Sequence, residues 1–168
     1  MIGFGLQSCN EEFRTNQLKR VGTNDRIKEV AKICHDLNLP FSFDHIFDIP
    51  CDTEKNQYEA IDFYNETRPA LINTFTMTYL PKIELNRYLT GAEQKEVEQG
   101  KARTGMFKRD NDYFSSIFAL LPLGIKLRIR LPYWARLLCK DISRAKIGRW
   151  SDILFPIKLI WVNIWSRF

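Results

Sequence analysis

Between Ile2 and Thr78, three short apolar runs alternate with two segments of helical period. Ile2 to Ser8 reads as a buried strand, and a polar stretch from Cys9 to Arg20 follows it as a loop with a short helix. Thr23, Asn24 and Asp25 offer helix caps, and Ile27, Val30, Ile33, Cys34 and Leu37 recur at helical spacing up to Asn38-Leu39-Pro40. Phe41 to Ile49 is the second strand, with Phe41, Phe43, His45 and Phe47 on one face and Ser42, Asp44 and Ile46 on the other. Asp52 or Thr53 caps a second helix over about Glu54 to Thr67, which Arg68-Pro69 ends. Leu71 to Thr78 is the third strand, with Leu71, Asn73, Phe75 and Met77 sharing a face. A strand–helix–strand–helix–strand order builds an α/β unit with a parallel sheet. Three parallel strands leave two open edges, so this half reads as part of a larger sheet or barrel.

Past residue 90 the character changes. Residues 1–90 carry ten Lys and Arg against thirteen Asp and Glu, while residues 91–168 carry fifteen against seven. All four tryptophans, Trp134, Trp150, Trp161 and Trp165, fall in the second region. Two regions are therefore expected, 1–90 and a basic, Trp-rich helical region over 91–168. Ala92 to Gln99 is a polar helix, and Tyr113 to Ile125 is apolar but interrupted by Pro122-Leu123-Gly124. Lys126, Arg128, Arg130, Arg136 and Lys140 alternate with apolar residues, and Ile153 to Trp165 is apolar nearly all round. This tail fits helices packed on the rest of the protein. It also fits a non-catalytic peripheral module that binds an anionic membrane surface; no specific nucleic-acid contact is expected.

Other classes fall away. No apolar run approaches the roughly 18–20 residues of a membrane-spanning helix, and the N-terminus lacks the basic and long apolar regions of a secretory signal. A cytoplasmic chain is the expectation. Cys9, Cys34, Cys51 and Cys139 show neither a C-x-x-C pair nor zinc spacing, so no metal ligands are assigned. His35 and His45 stand alone and read as structural.

Gln7, Arg20 and Asp44 are the polar residues that stand out. Gln7 ends the first strand, and Asp44 sits inside an aromatic-rich one, where an unpaired carboxylate is costly. Parallel α/β folds bind ligands at the carboxyl ends of their strands. An amide, a guanidinium and a carboxylate converging there suit a zwitterion with an amino and a carboxylate group. From spacing alone, a structural Asp44–Arg20 ion pair is the plainer reading of two of the three.

The run GLQSCNEEFRTNQLKR resembles the fourth-strand region of radical S-adenosylmethionine enzymes, where G-[IL]-Q-S-G precedes an Arg. FDHIFDIPCDTEKN resembles their fifth strand, and TFTMTYLPKIEL their sixth. The D-x-P form of the fifth-strand motif is similar to that of the cobalamin-binding type. The resemblance covers about residues 2–89, in order. Cys9, Cys51-Asp52 and Lys82-Ile83 depart from the family pattern, and the cluster motif C-x-x-x-C-x-x-C is absent.

The resemblance implies the C-terminal half of a (β/α)6 partial TIM-type barrel, followed by an α-helical tail. It implies that Gln7, with Ser8, and Arg20 hold the amino and carboxylate ends of S-adenosylmethionine, and that Asp44 lies at the cofactor's polar end. Backbone near Ile46 would flank the adenosine, and Tyr79 would lie on the substrate side. A [4Fe–4S] cluster and cobalamin belong to the complete enzyme, whose chemistry is methyl transfer or a related radical reaction. The implied partner is the missing N-terminal half, with self-association through the open strand edge as the other outcome. No catalytic residue is assigned, and the fragment is expected to be inactive alone.

Overall fold

The computed structural model describes residues 1–50, 52–100, 103–104 and 111–126. The basic stretch after Lys126 and the apolar run over 153–165 lie outside the described residues, as does Cys51. Three parallel strands, β1 (Ile2–Gln7), β2 (Phe41–Phe47) and β3 (Leu71–Thr76), form a sheet in the order β1-β2-β3. Around them run α1 (Glu11–Asn16), α2 (Asn24–Asp36) and α3 (Glu54–Thr67). Beyond β3 come β4 (Thr78–Tyr79), a 3-10 turn (Glu84–Tyr88), α4 (Gly91–Glu98), β5 (Arg103–Thr104) and α5 (Asn111–Lys126). The α/β class with a parallel sheet therefore holds.

Local chemistry sets the helix ends. Thr23 caps α2 by accepting from the Arg26 amide, and Thr53 caps α3 through the Asn56 amide. Arg68 closes α3 in the left-handed region at φ 52°, just before Pro69 makes continuation impossible. Around α4, Thr90 and Glu93 form a reciprocal capping box.

Strand periodicity then sorts the sheet into two unlike faces. Register pairs Gly3 with Ser42 and Phe4 with Phe43, and Asp44 with Asn73 and His45 with Thr74. One face therefore carries Phe4, Leu6, Phe41, Phe43, His45, Phe47 and Ile72. It is roofed by Ala31 and Cys34 of α2, Ala60, Ile61, Phe63 and Tyr64 of α3, and Phe114, Ile117, Phe118 and Leu121 of α5. The Phe118 ring stacks on Phe47 at 5.6 Å and meets His45 edge-on at 4.7 Å. The opposite face carries Gly3, Gly5, Ser42, Asp44, Ile46, Leu71, Asn73 and Phe75; Ser42 and Leu71 are buried at its amino end, while Asp44, Ile46 and Asn73 are half-buried and Gly3, Gly5 and Phe75 exposed toward solvent.

Two elements differ from the sequence reading. The third strand ends at Thr76, and Thr78–Tyr79 instead pair antiparallel with Arg103–Thr104. The apolar segment around Pro122 is not interrupted: α5 runs through the proline to Lys126. Phe118 and Leu121, both fully buried, anchor that last turn and offset the backbone bond that Pro122 cannot make. Because α5 shares the core of β1–β3, that core reaches past residue 90. No described helix is long and apolar enough to cross a membrane.

Candidate functional site

The uncovered face of the sheet collects the polar residues singled out above. Between Phe4 and Gln7 the β1–β2 register shifts, and Gln7 itself takes φ 70°, a left-handed conformation unusual for a non-glycine. The irregularity re-aims the Gln7 side chain back over Gly5. A Cβ on Gly5 would lie 2.9 Å from Gln7 Nε2 and 3.4 Å from Arg20 Nη1, so amide and guanidinium meet where that glycine has no side chain. Arg20 Nη1 also donates to the Gly5 carbonyl at 3.1 Å. Glycine at this position leaves a floor onto which two donors converge.

One strand over, Asp44 lies on the same face and accepts from Asn73 Nδ2 of β3 at 2.9 Å. Asp44 therefore pairs with an amide, and Arg20 with a backbone carbonyl. The Asp44–Arg20 ion pair allowed by the sequence does not form. Donors over β1 and an acceptor on β2 lie on the same face of neighbouring strands, an arrangement that complements a carboxylate and an ammonium on one ligand. Ile46 follows on that face, half-buried.

Ser8 and Tyr79 are placed elsewhere. Ser8 is buried; its hydroxyl accepts from the Asn10 amide, and its carbonyl accepts from Arg14. Tyr79 is fully buried and donates to the carbonyl of Asp48 at 2.8 Å, tying β4 to the carboxyl end of β2. Asp48, like Gln7, has a positive φ, at 66°. The ends of two neighbouring strands are thus both held in a conformation that costs roughly 1–3 kcal/mol per non-glycine residue.

Two buried polar groups behind the site were not legible in advance. Arg14, only 2% exposed, donates to Ser8 O at 2.7 Å, Gly22 O at 3.2 Å and Asn24 Oδ1 at 2.7 Å. It clamps the loop that carries Arg20, and burial lowers its pKa. The second group is a chain under the helical roof. Gln57 Nε2 donates to Asp52 Oδ2, which leaves Gln57 Oε1 as an acceptor for His45 Nε2 at 3.1 Å. His45 therefore carries its proton on Nε2, and Nδ1 accepts from the Tyr64 hydroxyl at 2.8 Å. The Cys9 thiol closes the chain against Tyr64. Burial pushes His45 down to about 3 and Cys9 up to about 12, so both stay neutral near pH 7. The spacing of Gln57, Ile61 and Tyr64 on one helical face, opposite His45, was the available signal.

Buried and held as a thiol, Cys9 is a poor thiolate ligand, and among the described residues no three His, Cys, Asp or Glu gather as a metal site. The described residues do not make a site for a [4Fe–4S] cluster, whereas the open-face donors and acceptor suit an α-amino acid terminus. A scan against protein-family models and searches of the curated proteins and of the solved structures return no significant match for this chain.

Proposed function

We propose that the chain is part of a cobalamin-type radical S-adenosylmethionine enzyme, the C-terminal half of a (β/α)6 barrel, and supplies one wall of the S-adenosylmethionine pocket. The observation that carries this reading is the convergence of Gln7 and Arg20 over Gly5, beside Asp44 on the same uncovered face. In this reading Arg20 and the Gln7 amide bind the methionyl carboxylate, and Asp44, held in place by Asn73, accepts from the methionyl ammonium. The one-sided helical roof supports it further: strands in sequential order with helices on a single face are how a barrel wall is built, its uncovered face turned to the lumen. When bound in the complete enzyme, S-adenosylmethionine supplies the methyl or radical chemistry. This chain's residues bind and orient its amino-acid end and contribute no step through a cluster. Alone, the chain is inactive.

Isothermal titration with S-adenosylmethionine, and competition by methionine, test the reading. Saturable binding is expected, with Arg20→Ala and Asp44→Asn each weakening it about tenfold or more, the scale of a hydrogen bond to a charged group. No binding at millimolar cofactor, or binding indifferent to both substitutions, overturns it.

A further inference from the structure

The bend at Gln7 closes a ring of three residues. The Ser8 amide donates back to the Leu6 carbonyl at 2.9 Å across Gln7, whose φ is 70°. A positive φ at the centre of such a ring marks the rarer, strained form of γ-turn. Gln7 carries a side chain, so the conformation persists only where its surroundings hold it. The Arg20 loop has an irregularity of its own: Lys19, immediately before Arg20, sits at φ 51°. Both donors of the candidate site thus hang on backbone that local preference disfavours.

One residue reaches both. Arg14 of α1 donates from Nη1 to the carbonyl of Ser8, the residue after the turn, at 2.7 Å. From Nη2 it donates to the carbonyl of Gly22, two residues past Arg20, at 3.2 Å, and to Asn24 Oδ1 at 2.7 Å. The Arg14 carbonyl accepts from the Arg20 amide at 3.0 Å. Asn24 Nδ2 donates to the Cys9 carbonyl at 3.1 Å, which closes the frame on the Gln7 side. Among the described residues, the acceptors of the Arg14 guanidinium are all uncharged oxygens. A cation 2% exposed without a carboxylate at hydrogen-bond distance is a costly way to pin a loop. A planar fork is nevertheless what spans acceptors on separate segments, and a lysine cannot copy it. Arg14 also lines the cleft that Gly5 and Arg20 line, so its charge adds to the positive potential behind the two donors.

We propose that Arg14 is the positioning residue of the amino-acid subsite: it fixes the Gln7 turn and the Arg20 loop at one spacing, and that spacing selects a ligand with a free carboxylate. This rests on the S-adenosylmethionine reading above and adds to it the residue that sets the two carboxylate donors. Arg14 touches no ligand; it acts through Gln7 and Arg20. Asp44, on the neighbouring strand and bonded to Asn73, stands outside the frame, so the ammonium end of the ligand is held independently.

Arg14→Lys keeps the charge and loses the fork. The full-length variant, held below its own melting temperature, is titrated with S-adenosylmethionine and with the decarboxylated analogue, which keeps the ammonium and lacks the carboxylate. The proposal expects about tenfold weaker binding of S-adenosylmethionine, with the analogue's already weaker affinity unchanged. By nuclear magnetic resonance it expects loss of the contact between the Gln7 side-chain amide and the Gly5 α-protons, and faster exchange of the Ser8 amide. Asn24→Ala, at a half-buried position, removes one anchor of the guanidinium and should repeat the pattern at about threefold; it decides the matter if the lysine variant does not fold. Equal loss on both ligands, or loss on neither, overturns the proposal, as does an unaltered Gln7–Gly5 contact. If the unaltered chain binds neither ligand, the cofactor reading falls, and the Gln7–Gly5 contact and Ser8 exchange alone decide whether Arg14 sets the pair.

Discussion

Gly5 is the residue on which the candidate site turns. Adding a methyl there puts a carbon 2.9 Å from Gln7 Nε2, and the amide, being the free end of a flexible side chain, swings away. Gly5→Ala is therefore expected to leave thermal stability within about 1 kcal/mol while weakening S-adenosylmethionine binding about tenfold, read by titration beside a melting curve. A melt that collapses would mean that Gly5 serves the fold instead. His45 gives a second test. Its folded pKa, about 3, lies below the ordinary 6.5, so the unfolded chain binds the proton first as pH falls. The stability tied to neutral His45 is complete above pH 6.5 and drains away toward pH 3, a loss of about 2 kcal/mol by pH 5. Urea unfolding at pH 7 and pH 5 measures it, and His45→Gln should flatten the difference. An unchanged slope in that variant would place the titration elsewhere.

At the scale of elements, α5 is the piece whose removal should be felt most. Phe118 touches Phe47, His45 and Tyr64, and is fully buried. Phe118→Ala is expected to cost about 3–5 kcal/mol and to open residues 111–126 to protease while β1–β3 stay protected; protection equal to the unaltered chain would contradict α5's place in the core. Periodicity made β1, β2, α2 and α3 legible to within a residue or two, because each has one apolar face. It could not reach β4 and β5, two-residue strands whose pairing spans 25 residues and leaves no local pattern. Pro122 misled for a physical reason: proline breaks helices by default, and only buried neighbours reveal the exception. In the site, Gln7, Arg20 and Asp44 were legible as residue types. The register shift and left-handed turn that bring the first two together were not, since no glycine marks them. Arg14 was missed because a guanidinium buried against carbonyls has no periodic signature.

The described residues form a sheet roofed on one side, with a cleft of about 390 Å³ between β1 and α2 that Phe4, Leu6, Ile27 and Val30 line together with the exposed Arg20 and Arg26. The apolar lining and the arginines pull in opposite directions in solution. At low ionic strength, repulsion between the exposed Arg20 and Arg26 side chains of different molecules should hold copies apart. Molar salt screens that repulsion to within about 3 Å and leaves the apolar attraction. Light scattering is therefore expected to show association that grows with salt. Association that falls with salt would mean oppositely charged faces meet, and that the cleft is not the contact.

Gln7 at φ 70° has a consequence in evolutionary terms. A library selected for heat resistance alone, with no demand for ligand, should drift toward glycine at this position, because the left-handed bend then costs nothing. The same drift erases the amide. Lineages that keep glutamine there while tolerating changes at the surrounding surface would be recording a selection that acts on the ligand and not on the fold.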